Sequence, residues 1–357
     1  MTCVAFYKRR RERPASVGPI AYRRQASQQR RVAVRPVAAQ ERVPMILGTW
    51  DYKWPLGTKI RVAFQLPPRT TVFSTAFEDA CAEVERTGKR WFEALHSGKY
   101  QELEKHLPKL EFLQGSDRYF EPPLGPENSL TDQHRSPFRT DRPRVEYDVL
   151  VSFQDLPVTR ADPFRGFGEE LEEIVFPTCE LGSYARRSDY GAPTAYMGRF
   201  GRYLNEDLLS YLKSDDGQHT VVHIFGHVLG LAHAYQHPTL VPGKREDFYR
   251  PVPEIVEFMS ANLGVELPPE IVTENLLQAW PGDFAFSDWL DYSQSELEEH
   301  KRGKIDSVMV PPYYAHLIKN PPREEYPIVT TPSERDLDTL RLMYEPGAAD
   351  QLPYSKP

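Results

Sequence analysis

Residues 223–233 read H-I-F-G-H-V-L-G-L-A-H, and this stretch decides the fold. His223 and His227 are four residues apart, so on a helix they lie one turn apart on the same face and can hold one ion between their imidazoles. Gly230 allows a sharp turn, because glycine enters a left-handed conformation without strain. The turn brings His233 round as a third nitrogen ligand. Zinc binds neutral imidazole readily and three ligands leave one position for water, so the stretch predicts a Zn²⁺ site.

The residues around the histidines support a helix from about Asp216 to Leu229. Asp215 and Asp216 suit its positive end as caps, and Val222 and Phe225 begin a core stripe that Leu229 continues. The simpler interpretation is three core or surface histidines that coincide. The chain has 10 histidines, and from composition alone this spacing with its glycine arises on the order of once in a thousand such chains. The pattern therefore favours a metal site.

Two stretches alternate apolar and polar residues as half-buried strands do. They are residues 59–66 and 145–154. The short stretch A-P-T-A-Y-M-G at 192–198 is predicted as an edge strand, since Pro193 fits only where a ladder hydrogen bond is absent. Together these segments predict a twisted, mixed and mostly parallel sheet.

Helical patterns occupy much of the remaining ordered region. A 3.6-residue apolar stripe runs through residues 76–95, with Gly88 on it as a point of close backbone packing. Residues 238–305 are interpreted as mostly helical. A last helix follows Ser333, with Asp336 at the third position of a capping box. The predicted fold class is therefore α+β, with a mainly helical C-terminal part.

Composition divides the chain into three parts. Residues 1–45 carry a net charge of +9, and since the whole chain carries −7, the remainder carries −16. The first part is predicted to be a disordered basic arm. One domain is expected at 46–347, with a Pro-, Asp- and Arg-rich surface insertion at about 108–144, and 348–357 form a tail. The acidic body argues against nucleic acid as a partner, and no apolar run is long enough for a membrane span.

Cysteine usage and the N-terminal composition bear on the compartment. Cys3, Cys81 and Cys179 give no disulfide framework and favour a reducing environment. The N-terminal stretch lacks the apolar core of a secretory signal, and its Arg-rich, acid-poor composition also fits a mitochondrial transit peptide. We therefore expect an intracellular protein, with mitochondria as one option. The oligomeric state is not indicated.

The spacing H-x-x-x-H-x-x-G-x-x-H resembles that of the metzincin metallopeptidases, whose motif is H-E-x-x-H-x-x-G-x-x-H followed by a methionine turn. A matching turn is D-S-V-M-V-P at 306–311, with Met309 in the place of the methionine under the metal. Three other segments are similar to astacin-like peptidases: residues 54–64, 147–153 and 333–346. The resemblance covers roughly residues 46–347. It implies a zinc-dependent peptidase domain and, against the expectation above, secretion.

Three positions depart from the family pattern. Where the family has the glutamate that takes a proton from zinc-bound water, this chain has Ile224. A positioned base contributes about a hundred- to ten-thousand-fold to the rate, and isoleucine cannot accept a proton. Ala234 stands where astacins follow the third histidine with glutamate, and Pro311 stands where they place a metal-binding tyrosine. Tyr313 and Tyr314 lie near that place but out of register.

The sequence therefore predicts a zinc-binding pseudo-peptidase, whose cleft and edge strand hold an extended polypeptide by strand addition without cutting it. Two alternatives stay open. One is an active zinc metallopeptidase in which bulk water or another group, with Asp215, Asp216 and Tyr313 as candidates, transfers the proton. The other is a metal-free structural or interaction domain. His237 is a further candidate near the metal, although a surface histidine after the turn is the simpler interpretation.

Overall fold

The computed structural model describes residues 4–5, 53–66, 75–96, 100, 103–120, 146–153, 178–179, 182, 194–197, 206–236, 249–263, 269, 272–277, 306–311, 314–319 and 328–346. The strands are β1 Val4–Ala5, β2 Lys59–Gln65, β3 Lys109–Phe112, β4 Tyr119–Phe120, β5 Val149–Ser152, β6 Thr178–Cys179 and β7 Ala195–Tyr196. The α-helices are α1 Thr75–Gly88, α2 Arg90–Glu93, α3 Glu206–Lys213, α4 Asp215–Val228, α5 Val252–Leu263 and α6 Glu334–Tyr344. Short 3₁₀ turns are Ala94–His96, Leu103–Lys105, Gly115–Arg118, Ala234–Gln236 and Tyr314–His316, and Val272–Leu277 is a π-helical turn.

The strands form one sheet in the order β1-β6-β7-β5-β2-β3. β4 pairs with β2 as well, further along the strand than β3. The pairings are parallel except that of β6 with β7. The predicted combination of helices with a mixed, mostly parallel sheet is confirmed, as is the strand predicted at 59–66.

The core lies between this sheet and helices α1 and α4. Phe64 of β2 stacks with Phe112 and Phe153, at ring-centroid distances of 6.3 and 6.1 Å. Phe77 of α1 meets the ring of Phe153 edge-on at 5.7 Å, and Phe225 of α4 meets that of Phe112 at 5.6 Å. Such tilted and offset aromatic pairs are favoured beyond the burial of their area. They fix the helix that carries the histidines against the sheet.

The helix predicted at 76–95 is interrupted. α1 ends at Gly88, and α2 begins after Lys89. Gly88 packs directly against the ring of Phe225, since an added Cβ would lie 2.8 Å from that ring. The close backbone approach expected at Gly88 is therefore confirmed, and the predicted helix is present but divided at Lys89, which keeps helical dihedral angles.

The strand predicted at 145–154 is shorter than expected, since β5 begins at Val149. The reason lies at Asp148. Its backbone N–H donates to the carbonyl of Arg61, but its carboxylate accepts the N–H of Arg61 at 2.8 Å, so a side chain takes one place in the ladder. The same carboxylate faces the guanidinium of Arg61 at 3.3 Å.

Three other predictions about the sheet are corrected. The expected insertion at about 108–144 is wrong at its start, because β3 and β4 pair with β2, and residues 121–145 lie outside the described part. The strand predicted within residues 192–198 is present as β7, but it is not at an edge of the sheet, because it lies between β5 and β6. Within the basic arm expected at 1–45, Val4–Ala5 pair in parallel with Thr178–Cys179, so these two residues are not free.

Helices make up much of the described C-terminal part. α5 and the turn Val272–Leu277 represent the region predicted as mostly helical. Apart from Pro269, residues 264–271 and 278–305 lie outside the described ranges, as does the tail 348–357. α6 begins after Ser333 with the predicted capping box to Asp336. No helix among the described residues is long and apolar enough to cross a membrane.

Candidate metal centre

Helix α4 carries the first two histidines and is fixed at both ends. Ser214, and not Asp215 or Asp216, is its N-cap, and its hydroxyl accepts the N–H of Gly217 at 3.3 Å. The two acids lie in the first turn, where negative charge favours the helix dipole. At the other end, the carbonyl of Val228 accepts from the indole N–H of Trp54 at 2.7 Å. These contacts satisfy groups that a helix end leaves unpaired.

The chain reverses directly after this helix. Gly230 has φ 99°, the left-handed conformation that the sequence predicted for it. The preceding carbonyl, of Leu229, accepts from the buried hydroxyl of Tyr344 at 2.7 Å. The N–H of Leu231 then donates back to the carbonyl of Gly226 at 2.9 Å. The turn places His233 beside the helix face that bears the other two histidines.

The structure brings His223, His227 and His233 together. One nitrogen from each ring lies within 4.8 Å of the other two, and all three residues are fully buried. The ring centroids of His223 and His227 are 4.6 Å apart, and that of His233 lies 5.2 and 4.8 Å from them. This is an arrangement that can hold one metal ion between three imidazoles.

Hydrogen bonds orient these rings. The Nδ1 atom of His223 is 2.7 Å from the carbonyl oxygen of Val308, and that of His227 is 2.7 Å from the carbonyl of Leu231. A carbonyl only accepts, so each Nδ1 carries the proton and the Nε2 of the neutral ring keeps its lone pair. The Nε2 atoms of His223 and His227 are buried with no hydrogen-bond partner within the part of the chain that is described. Buried lone pairs so arranged fit a metal ion.

Burial also sets the charge of the site. It lowers the pKa of His223 and of His227 well below the ordinary value of 6.5, and the neighbouring imidazoles lower it further. Both rings are therefore neutral at neutral pH. A neutral imidazole is the form that binds a metal, so little proton release is needed when the site is filled.

His219 is a fourth buried histidine that the sequence interpretation missed. It lies one turn before His223, with ring centroids 5.6 Å apart, and its Nδ1 is 2.7 Å from the carbonyl of Val329. Burial lowers its pKa to about 4, so this ring is also neutral. It does not belong to the group of three converging nitrogens. The signal was present in the sequence, because His219, His223 and His227 repeat at intervals of four residues.

The segment predicted as a methionine turn, residues 306–311, packs against helix α4 through Met309. Met309 is fully buried, and its thioether packs against Gly226, where an added Cβ would overlap the sulfur. The carbonyl of Met309 accepts the N–H of Ala234 at 3.2 Å, next to the third histidine. The turn therefore contacts both segments that supply histidines, and Gly226 is the residue that allows the close approach.

The remaining candidates are placed as follows. Ile224 is fully buried in the hydrophobic core. Asp216 lies seven residues before His223, which is about 10 Å along a helix, so neither it nor Asp215 lies at the histidine cluster. Tyr314 is buried against the ring of Tyr235 at 4.8 Å, and Tyr235 in turn stacks on His233 at 5.0 Å. Tyr313 and His237 lie outside the described residues.

Comparison with known proteins gives distant likenesses among solved structures. No protein-family model matches the chain, and no curated protein sequence matches it. Among solved structures, the chain is similar to a structure of myroilysin with a TM-score of 0.47 and 15% identity, covering 84% of this chain and 98% of that one. It is also similar to a crystal structure of myroilysin with a TM-score of 0.39 and 15% identity, covering 82% and 86%. Likenesses this distant leave the chemistry of the site to its own residues.

Proposed function

We propose that this chain is a zinc-binding protein of the metzincin type, a pseudo-peptidase that holds extended polypeptide without hydrolysing it. The observation that carries the proposal is the convergence of three buried imidazoles, from His223, His227 and His233, with one nitrogen of each within 4.8 Å of the others. Their spacing is that of the metzincin motif, and the burial of Met309 against Gly226 of the histidine helix supports the proposal.

The donor set favours zinc or another transition metal over magnesium and calcium. Three neutral imidazole nitrogens suit zinc, copper, iron and nickel, whereas magnesium and calcium prefer oxygen ligands. Zinc commonly takes three protein ligands together with a water in a fourth position. The residues His223 and His227 would hold it through Nε2, because their Nδ1 atoms already donate to backbone carbonyls.

The absence of a proton acceptor at position 224 supports the lack of hydrolysis. Bound zinc would lower the pKa of a coordinated water, but peptide cleavage also uses a side chain that takes and returns a proton. Ile224 offers none, and it is buried among apolar residues. The candidate substitutes Asp215 and Asp216 lie at the far end of α4. An active enzyme with another base remains the alternative that a peptidase assay decides.

Strand addition is the supported mode of polypeptide binding. β6 contacts α4, pairs with β7 on one side, and on its other side pairs with the backbone of Val4–Ala5. That pairing supports an extended segment at this edge of β6, close to the metal helix, and an added polypeptide would take the place of Val4–Ala5. Main-chain hydrogen bonds of this kind recognise polypeptide with little dependence on its side chains.

Two measurements test the proposal. Elemental analysis of the purified chain should give one zinc per chain, and a variant with all three histidines changed to alanine should give none. Wild type should cleave neither casein nor a quenched peptide above background, yet fluorescein-labelled carboxymethylated casein should bind and raise its anisotropy. Zinc retained by the triple variant would refute the site. Cleavage by wild type that a chelator abolishes would show an active peptidase instead.

A further inference from the structure

A buried carboxylate in the last helix lies at the centre of a hydrogen-bond network that reaches the histidines. Asp336 is fully buried. Its oxygens accept from the hydroxyl of Ser307 at 2.8 Å, the N–H of Val308 at 3.1 Å, and the N–H and hydroxyl of Ser333, each at 2.8 Å. Ser333 belongs to the helix cap, whereas Ser307 and Val308 belong to the methionine turn. One side chain thus joins the two segments.

Both peptide groups next to Val308 depend on this carboxylate. The first contains the N–H of Val308, which donates to Asp336 directly. The second contains the carbonyl of Val308 and the N–H of Met309, and that N–H donates to the hydroxyl of Ser307 at 2.9 Å. Since the same hydroxyl donates to Asp336, the second peptide group is held through one intermediate atom.

The second peptide group is the one that orients a histidine. Its carbonyl, that of Val308, accepts the Nδ1 proton of His223 at 2.7 Å. A partner of this kind fixes the tautomer and ring orientation of a metal-binding histidine and raises its basicity. Because Asp336 is charged and its surroundings have a low dielectric, polarisation along the chain of hydrogen bonds strengthens each of them.

We propose that Asp336 is a positioning residue for the metal centre, acting on His223 through Ser307 and the peptide groups of Val308. The inference rests on the proposed metal site, since it assigns to His223 the part of a ligand. Asp336 contacts none of the three clustered histidines. Its second part, capping α6 through Ser333, is structural and needs to be separated from the first.

The two serines separate the two parts. Ser307→Ala removes the hydroxyl that joins Asp336 to the Met309 peptide and leaves the helix cap in place. Ser333→Ala is the matched control, because it removes an equivalent hydroxyl bonded to the same carboxylate on the cap side. In full-length protein, competition with a fluorescent chelator should show zinc binding about tenfold weaker for Ser307→Ala, the lower end of the effect of losing a ligand's direct partner, because the Val308 carbonyl itself remains. Ser333→Ala should bind zinc as wild type does within about twofold, while unfolding at a lower temperature.

A readout without metal keeps the inference separate from the proposed function. In the metal-free protein, the Nδ1 proton of His223 should give a protected imidazole resonance in proton–nitrogen correlation spectra. Ser307→Ala should shift that resonance and speed its exchange with water, and Ser333→Ala should leave it in place. If wild type binds no zinc, the proposed function fails but this spectrum still tests the relay. An unchanged His223 resonance and unchanged zinc affinity in Ser307→Ala, or equal losses in the two variants, would overturn the inference.

Discussion

Replacing Ile224 with glutamate tests the site most directly, and its first effect should be on stability. Ile224 is fully buried. Loss of its apolar side chain removes about 1.5–3 kcal/mol of burial free energy. The introduced carboxyl must also leave water, which raises its pKa and disfavours its ionised form. Together we expect the metal-free Ile224→Glu variant to lose about 3–5 kcal/mol of unfolding free energy.

Zinc binding should restore part of the unfolding free energy that Ile224→Glu loses. A carboxylate one residue after His223 would lie near a divalent ion, and the attraction offsets the cost of its burial. Zinc should therefore raise the unfolding midpoint of Ile224→Glu more than it raises that of wild type. Chemical denaturation with and without zinc measures the difference.

The second effect should be on activity. Wild type should hydrolyse generic peptides at background, whereas the variant should gain chelator-sensitive cleavage of a quenched peptide, about a hundredfold above wild type from general-base catalysis alone. Ile224→Gln is the matched control, because its side chain has the same reach but is not a base. Equal activity in the Gln and Glu variants would refute the role of the carboxylate. A folded, zinc-loaded but inert Glu variant would place the defect elsewhere, with Ala234 and Pro311 next to be changed.

Three further changes test the surroundings of the site. His227→Ala should abolish stoichiometric zinc in elemental analysis, and undiminished zinc would refute three-histidine binding. Gly226→Ala should lower the unfolding free energy by about 1–3 kcal/mol, because the added Cβ would overlap the sulfur of Met309. At an exposed helical position the same change would instead raise it by about 0.5–1 kcal/mol. Urea denaturation shows which sign applies. Burial raises the pKa of Asp336 from 3.8 to about 6, so its ionisation makes the folded state less stable as the pH rises through that value. Asp336→Asn lacks this dependence. Between about pH 4.5 and pH 8, its unfolding free energy minus that of wild type should therefore increase by about 2 kcal/mol, measured by urea denaturation of the metal-free proteins. A difference that does not change with pH would contradict this prediction.

Local pattern was enough to predict the elements whose own residues determine them. The strand at 59–66 alternates along its length, and β2 spans Lys59–Gln65. The helix predicted at 216–229 is found at Asp215–Val228, and the cap at Ser333 has the predicted partner. In each case the signal lies within one turn or one strand, where periodicity and capping chemistry act.

The missed features depend on distant partners. β3 and β4 are short segments with no sustained alternation, and they become strands only because β2 offers them hydrogen bonds. The pairing of Val4–Ala5 with β6 joins residues that are far apart in sequence. The shortening of β5 depends on Asp148 bonding to Arg61. The histidine motif predicted which residues meet, whereas the carbonyls that orient them come from the turn at Val308, which spacing alone does not reveal.

Burial of the three imidazoles bears on what a metal would do here. His223, His227 and His233 have no exposed surface, and the apolar Ile224 lies beside the first of them. Metal binding at such a site is coupled to folding, because the unfolded chain does not hold the three ligands together. A metal held by these residues would tie α4 to the segment after Gly230, and through the bond of His223 to Val308 it would bear on the methionine turn and α6 as well. Its binding energy would then stabilise the fold, so removal of the metal should lower the unfolding free energy of wild type as well as that of the variants.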